Sequence, residues 1–447
     1  MAAGAIIGRG DLSSDASLRE SCDVAIVGSG AAGATVARVL SEAGLDVVIL
    51  EEGPYVPPSR HPEDLYSAMK QSWRDLSMQV ARGKSIIPVL QGRCVGGTTV
   101  INGAIIHRLP EPIHAAWGDD KGIAERLPYR DFARVFDQLD RELGVAPPSD
   151  EVLGENNRLM EKAVEGLGMS GNRIRRSVVG CEGSAQCLQG CPNQRKQAMH
   201  VTYIPRAVSQ GARVFHGCKV DRILMDGARA IGVSGQFTDD DPMARPPRLT
   251  VLASRAVVVA ASAIQTPLIL AANGFCSRKS LVGRRFQAHP GTSVMGKFPT
   301  PVRMWEGATQ GYETTELWSE RMKFESVGVP LSIGAARLPG FGGALRARFE
   351  EFSHIAQWGV QVRCQAMGRV RRGLFGQTVI QYTPTEEDVA ILRRGVSILI
   401  DMMFQAGAEE VYPGVHGLPE VITSPDQAQP LAGLSNDPRR FHCIAAH

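Results

Sequence analysis

The sequence predicts an α/β fold, α+β overall, organised on a Rossmann-like parallel sheet, and three observations carry that prediction. An apolar strand runs straight into glycines spaced G-x-G-x-x-G, a helix and a second buried strand within Asp23–Gly53. A second glycine-rich stretch, GRCVGGTTVINGAI, occupies Gly92–Ile105. Strand-type runs return from Val214 to Gln236 around an Asp226-Gly227 turn, a pair favoured in hairpins, and a further strand starts at Leu249.

The first of these is a complete βαβ unit. Val24–Val27 are strand, Ala34–Ala43 helix stopped by Gly44, and Asp46–Leu50 a second strand ending in Glu51. Each glycine has a steric duty: Gly28 makes the tight turn, Gly30 lets backbone approach a pyrophosphate, and Gly33 lets the helix pack closely on the strand. The helix N-terminus, with Ala31 and Ala32 after Gly30, offers unpaired N–H groups and the positive dipole end to phosphates. Glu51 is placed to accept from a ribose diol and disfavours a 2′-phosphate, with Glu52 the next candidate. These residues predict a dinucleotide site.

Composition bounds the rest. A chain of 447 residues with 43% hydrophobic and 21% charged residues is globular and large enough for two or three domains. A net charge of +3 argues against a nucleic-acid or anionic-membrane partner. The basic run Arg369–Arg372 reads as a solvated face. The first twenty residues lack a basic region followed by an apolar run, so no signal peptide is read and the segment is expected to be a tail. The uncharged span Ala256–Cys276 is interrupted by Ser262, Gln265, Thr266, Pro267, Asn273 and Gly274, and reads as strand, turn and helix, not a transmembrane segment. Nine cysteines, an odd number, point to a reducing compartment, the cytoplasm.

A nicotinamide enzyme needs only one glycine cradle, whereas a second one implies a longer ligand. Gly92, Arg93, Gly96, Gly97, Thr98, Thr99, Asn102 and Gly103 match G-R-x-x-G-G-[ST]-[ST]-x-x-N-G position by position. Here the chain resembles the glucose-methanol-choline (GMC) family of FAD-dependent alcohol oxidoreductases, from Asp23 to its last residue. The resemblance implies an FAD-binding Rossmann-like domain with a β-meander and an antiparallel-sheet substrate domain. It places Arg93, Gly96, Gly97, Thr98, Asn102 and Gly103 at the cofactor, and the backbone of Val220 near the adenine. Ala261 falls in a segment like the family's A-A-G-A-x-x-T-P element, where Ser262 replaces the usual glycine. Some members attach FAD through a histidine just before the motif asparagine; that position is Ile101, which implies non-covalent FAD.

The resemblance divides the chain into FAD-binding parts at 1–112 and 180–288, a mostly helical segment at 113–179, a substrate-binding domain at 289–435 and a return to the FAD domain at 436–447. Within the helical segment, Pro128–Val145 carries apolar residues at helical spacing. GCEGSAQCLQGCPNQRKQ follows, with Cys181, Cys187 and Cys191 clustered. Two readings stand: partly buried thiols in a tight loop, or ligands to zinc or an iron–sulfur cluster, with His200 the nearest fourth ligand. Gly190, Cys191, Pro192, Lys196, Gln197, Thr202, Tyr203 and Pro205 are similar to a segment of a bacterial GMC branch that includes long-chain alcohol oxidases.

Val214–Gln236 and the strand from Leu249 form the meander, Asp239–Arg248 a charged loop, Ala256–Ala261 another buried strand and Ser262–Leu270 a helix. Beyond Gly283, strands and loops carry His289, Trp305, Tyr312, Trp318, Trp358 and Phe375, read as structural residues, with a substrate cage as the alternative for the aromatics and a catalytic role as the alternative for His289. Thr385–Ala406 reads as a helix opened by a capping box with Asp388, its Met402 and Met403 in the core.

The implied reaction is hydride transfer from the CH–OH group of a small-molecule alcohol to flavin N5, with a base taking the hydroxyl proton. The family's catalytic histidine aligns with His447. Its position at the end of the sequence predicts that part of the FAD domain is missing and that this form is impaired, a truncated flavoprotein fragment being one alternative. A nicotinamide-dependent dehydrogenase sharing only the cradle is the other. The residues name neither the alcohol nor the electron acceptor.

Overall fold

In the computed structural model, residues 4–12, 17–238, 246–277 and 280–446 are described. Its spine is a seven-stranded sheet of β1 (Ile6–Ile7), β2 (Leu18–Val27), β3 (Val47–Leu50), β4 (Arg213–Phe215), β5 (Cys218–Asp226), β6 (Arg229–Phe237) and β7 (Arg248–Val259), in the order β1-β4-β3-β2-β7-β6-β5. The first five in that order run parallel, and β6 and β5 return antiparallel as the meander. Central parallel strands are covered on both faces, so they carry no polar alternation; Val24–Val27 and Val47–Leu50 are accordingly buried throughout.

Three expectations change here. Residues before Asp23 are not a tail: β1 pairs with β4, and Leu18–Ser21 lengthen β2 along β7. The two strands expected from Leu249 and Ala256 are one strand, with a register irregularity between Ala253 and Ala256 where the sequence suggested a break. The cradle helix, α1 (Ala31–Glu42), begins immediately after Gly30, so Ala31 and Ala32 lie in its first turn. The expected turn holds, with Asp226 paired to Arg229.

A six-stranded antiparallel sheet contains β8 (Gly291–Lys297), β9 (Tyr312–Thr314), β10 (Met322–Ser326), β11 (Ile355–Val362) and β12 (Glu410–Tyr412), in the order β12-β8-β11-β10-β9, closed by Asn172–Arg173. One face packs on two helices, α2 (Glu155–Gly166) and α3 (Glu386–Ala406). The indole of Trp358 donates to the Asn156 carbonyl at 3.1 Å, Val360 lies against Gly395, and Gly296 lies against Met403. Thr385 caps α3 through the expected box with Asp388, and Met402 and Met403 are fully buried. Burial raises the Asp388 pKa, but the amides of Gln365, Thr385 and Ala366 and the Thr385 hydroxyl outweigh it and hold the carboxyl below its usual range.

The aromatics divide. Trp358 and Tyr312 are core, Trp305 stacks on Phe352 with centroids 5.4 Å apart, and Phe375 is 89% exposed in a turn. A third sheet of Arg369–Arg372, Thr378–Gln381, Val80–Arg82, Ile86–Leu90 and Ala445–Ala446 joins the two halves. His447 and most of the Asp239–Arg248 loop lie outside the described residues.

Candidate functional site

A cleft of about 1200 Å³ opens beyond the carboxyl ends of β2, β3 and β7, where an α/β sheet of this kind binds its ligand. It is larger than an ordinary small-molecule site of roughly 300–1,000 Å³. Gly28, Gly30, Ala31, Ala32, Glu51, Glu52, Arg93, Gly97, Thr98, Asn102, Val220 and Ala261 line it. Gly33, Gly96 and Gly103 stand behind that wall. A Cβ on Gly33 would sit 1.9 Å from the Gly28 carbonyl oxygen, so Gly33 is the helix–strand contact. Gly96 takes φ +96° beside His200, and Gly103 lies against the side chain of Gln310.

The two glycine loops touch backbone to backbone. A Cβ on Gly97 would come within 2.9 Å of the Gly30 Cα, whereas one on Gly30 would meet only the Gly97 Cα, at 3.9 Å. Gly30 therefore faces open space, as close approach by a pyrophosphate requires. Glu51 fastens the arrangement: Oε2 accepts from the Ser29 amide at 3.0 Å and hydroxyl at 2.7 Å, and Oε1 accepts from the Gly53 amide at 2.9 Å. The Gly96 amide donates to the Ser29 hydroxyl at 3.1 Å, which ties the second loop to the first. Of the roughly four acceptor directions of a carboxylate, Glu51 has one left for a ribose. Burial raises its pKa against these bonds. Burial acts on Glu52 in the same direction, but Arg74, Lys219 and Arg93 outweigh it and hold the carboxyl at about 2.

One wall of the cleft carries buried polar atoms with no hydrogen-bond partner in the protein. Gln79 has both amide atoms buried and unpaired, Gln91 its oxygen, Gln265 its nitrogen, and Arg74 and Arg93 their Nε. Such atoms cost about 1–3 kcal/mol each unless a ligand or water meets them, so the cleft suits a ligand with many acceptors and donors along its length. Sequence reasoning misses Arg74, Gln79, Gln91 and Gln265; only the position of Gln91, just before Gly92, offers a signal. Arg372, at the end of the run read as a solvated face, also lines the cleft.

Beneath the second loop lies the cysteine-rich segment. Lys196 is buried and donates to the carbonyls of Val100, Asn102 (3.0 Å) and Cys187 (2.7 Å). Burial lowers its pKa to about 8. Arg176 donates to the Gly103 carbonyl at 3.2 Å and to Cys187 Sγ at 2.9 Å. Burial pushes the Cys187 thiol up, but Arg176 and Lys196 outweigh it and pull its pKa down. Cys191 Sγ accepts from the Arg195 and Lys196 amides.

The zinc or iron–sulfur reading gains no support from this arrangement. The thiols of Cys187 and Cys191 are occupied within the loop, and among the described residues no three His, Cys, Asp or Glu side chains are placed to hold a metal. His200 packs on His61, ring centroids 5.0 Å apart, and burial with the nearby His61 and Lys196 lowers its pKa to about 3. The segment is a buttress for the second loop. Its lysine is visible in the sequence only as part of a resemblance.

The face of the antiparallel sheet opposite α2 and α3 is polar. Lys323 donates to Glu325 at 2.8 Å and to His107 Nε2 at 3.0 Å, and lies 3.0 Å from Glu313. Glu325 Oε1 also accepts from Gln310 and Gln361, both at 2.8 Å. Burial lowers the Lys323 pKa, yet Glu325 and Glu313 outweigh it and hold the ammonium above its ordinary value. Burial lowers the His289 pKa, against Glu325, which raises it, and together with Lys323, which lowers it further.

Among the described residues no helix is long and apolar enough to cross a membrane. The family model for GMC oxidoreductases matches residues 22–291. An uncharacterized GMC-type oxidoreductase of Mycobacterium tuberculosis is 35% identical over 441 residues, covering 98% of this chain and 68% of that protein. A long-chain-alcohol oxidase of Arabidopsis thaliana, FAO4A, is 26% identical over 90% of this chain and 56% of its own length. Among solved structures, pyridoxine 4-oxidase from Mesorbium loti superposes with a TM-score of 0.66 at 15% identity, covering 95% of this chain and 87% of that one. Formate oxidase of Aspergillus oryzae gives 0.64 at 15% identity over 87% and 82%. The family implies a flavin, FAD, in place of the nicotinamide alternative, and the orphaned polar wall and open Gly30 fit it. The chain belongs to the GMC oxidoreductase family, as an oxidoreductase of its flavoprotein type.

Proposed function

We propose that this chain oxidises the CH–OH group of an alcohol, and that the cleft described above holds FAD without a covalent link. Bound FAD supplies the hydride acceptor, its N5 atom. The chain's own residues do the rest: the amides after Gly30 and the α1 dipole hold the pyrophosphate, and Glu51 takes the ribose on its remaining acceptor direction. Glu52 pairs with the surrounding cations, and Val220 and Ala261 close the adenosine end. Arg93, Gly97, Thr98 and Asn102 border the flavin half, backed by Gly96 and Gly103. Ile101, buried at the position of the family's attachment histidine, offers no nucleophile. His447 takes the hydroxyl proton, since withdrawing it makes the C–H bond a better hydride donor.

The observation that carries this reading is the junction at Asn102–Gly103, where the loop lining the cleft meets the polar sheet face through Gln310. A hydroxyl-bearing substrate seated there lies between cofactor and sheet. We assign 1–112 and 180–288 to FAD binding, 113–179 to the helical segment, 289–435 to substrate binding and 436–447 to the return. The pairing of Ala445–Ala446 with Ile86–Leu90 supports the last of these. Nine unbridged cysteines suit a reducing, cytoplasmic setting. The long-chain-alcohol oxidase name of the Arabidopsis relative suggests the reaction class. The test is anaerobic mixing of the purified yellow protein with a panel of alcohols. Bleaching of the flavin bands by one of them is expected; bleaching by dithionite but by no alcohol overturns the reading. Acid precipitation should leave the flavin in the supernatant.

A further inference from the structure

We propose that the chain carries a second binding site, apart from the flavin cleft, for the phosphate group of an organic phosphate. The site is a pocket of about 410 Å³ at the end of the helix Ser262–Ala272, bordered on its other side by the strand Arg369–Arg372. Pro267, Val282 and Val370 give its wall an apolar part, Arg284, Arg369, Arg371 and Arg372 a cationic one, and no described acidic residue lines it. The basic run thus borders a cavity, and of its arginines only Arg372 also reaches the cleft.

These arginines lack the partners that others in the chain have. Arg38, Arg206 and Arg213 each hold two carboxylates. Among the described residues no carboxylate lies within ion-pairing distance of the four pocket guanidiniums; Arg371 and Arg372 donate instead to main-chain carbonyls, of Arg372 at 3.5 Å and Gly376 at 3.2 Å. Like charges on one wall repel, and the helix C-terminus beside them offsets only about half an elementary charge. The strand adds a main-chain donor. Arg369–Arg372 lies at the edge of its sheet. The Val370 amide is spent away from that sheet, on the Gly283 carbonyl at 2.8 Å, and the Gly373 amide into it, on the Gln377 carbonyl at 2.8 Å. Amides alternate sides along an antiparallel strand, so the Arg372 amide leaves the sheet on the pocket's side, with no main-chain acceptor among the described residues. Donors that converge from a strand edge and a loop suit a tetrahedral group with three free oxygens, two of which a guanidinium takes at once. A carboxylate presents two oxygens in one plane and a single charge. The apolar part of the wall receives the organic body, and the volume lies in the roughly 300–1,000 Å³ range of small-molecule sites.

The FAD-loaded protein, its cleft filled, is titrated calorimetrically with phenyl phosphate and with benzoate, and floated with phosphatidylglycerol vesicles, at about 0.15 M salt, which screens charges that do not converge. Phenyl phosphate should bind at least tenfold more tightly than benzoate. It should also slow alkylation by iodoacetamide of Cys276, the exposed cysteine of the same wall, at least threefold. Arg284→Gln and Arg369→Gln should each weaken binding at least fivefold at an unchanged melting temperature, and Ala272→Trp, which fills the pocket and keeps every charge, should abolish it. Arg346→Gln, an equal change of charge on another segment, should leave it intact. Vesicle flotation that phenyl phosphate displaces places the phosphate on a lipid headgroup, and binding of the soluble ester without flotation places it on a soluble metabolite. Benzoate bound as tightly as phenyl phosphate, no binding of ester or vesicle, the parent's affinity in Ala272→Trp, or equal weakening in Arg346→Gln overturns the proposal.

Discussion

The two sheets hold their polar groups by opposite means. The parallel half is apolar on both faces of its central strands and shapes its cleft with backbone: Gly30 and Gly97 nearly in contact, amides at a helix start, a carboxylate used to fasten loops. The antiparallel half spends one face on α2 and α3 and presents side chains on the other, wired through Lys323 and Glu325. A backbone site tolerates no added atom, so its residues are fixed by steric necessity. A side-chain site is fixed by mutual charge and hydrogen bonding, and many residue sets can satisfy it.

That contrast is broken most severely at Gly33 and Gly30. Gly33→Ala places a methyl 1.9 Å from a carbonyl oxygen that the sheet holds rigid, and should abolish folded soluble protein, read by expression and circular dichroism. Gly30→Ala meets nothing closer than 3.9 Å, so the apoprotein should keep its melting temperature while FAD binding weakens at least tenfold in a flavin titration. Equal loss of folding in both variants would show that the two glycines share one structural duty.

In the antiparallel half the largest effect should come from Lys323→Met, which leaves Glu313 and Glu325 buried without their cation and costs about 3–5 kcal/mol. Thermal denaturation of the apoprotein measures it. Adding Glu313→Gln and Glu325→Gln should restore much of the loss, because an apolar or neutral set of similar volume needs no counter-charge. If the single variant melts like the parent, the network contributes nothing to the fold.

A smaller, pH-dependent effect belongs to Glu52. Its pKa is about 2 in the folded chain against an ordinary 4.5. The depressed value means its contribution is fully present above pH 4.5 and lost as the pH falls toward 2, a change of at most about 3 kcal/mol. Glu52→Gln should flatten the acid limb of a stability-against-pH curve over that window. A limb as steep as the parent's would assign acid lability to other carboxylates.

Legibility follows the same division. Gly28, Gly30 and Gly97 are readable because only glycine fits a positive φ or a close approach, and α3 is readable from its capping box. β1 is not, because two residues, Ile6 and Ile7, carry no periodicity. The irregularity inside β7 reads as a break, since a bulge and a strand end look alike in sequence. The polar face is invisible for a different reason. Lys323 and Glu325 alternate with Met322, Phe324 and Ser326 as any half-exposed strand would, and only the fold shows that both sides of the strand are buried. Lys196 is legible as a motif letter, but its duty to three carbonyls requires the fold.

The smallest test concerns Ser262, where the family pattern has glycine. Ser262 adopts φ +74°, a left-handed conformation that costs a residue with a side chain roughly 1–2 kcal/mol. Its hydroxyl offsets that cost, accepting from Gln91 Nε2 at 2.6 Å and from the amides of Ile264 and Gln265 at 3.2 Å each, in the first turn of the helix Ser262–Ala272. With two acceptor lone pairs the hydroxyl makes the equivalent of two full bonds, the two amides sharing one, and each contributes about 0.5–1.5 kcal/mol, while glycine would add backbone entropy to the unfolded chain. Ser262→Gly should therefore destabilise by about 1 kcal/mol despite relieving the dihedral, and Ser262→Ala by about 2 kcal/mol, since it keeps the strain and loses the bonds. Urea unfolding of the two variants beside the parent gives the order. A stabilised Ser262→Gly would mean that the left-handed turn dominates, and that backbone necessity governs even this position where a side chain has replaced it.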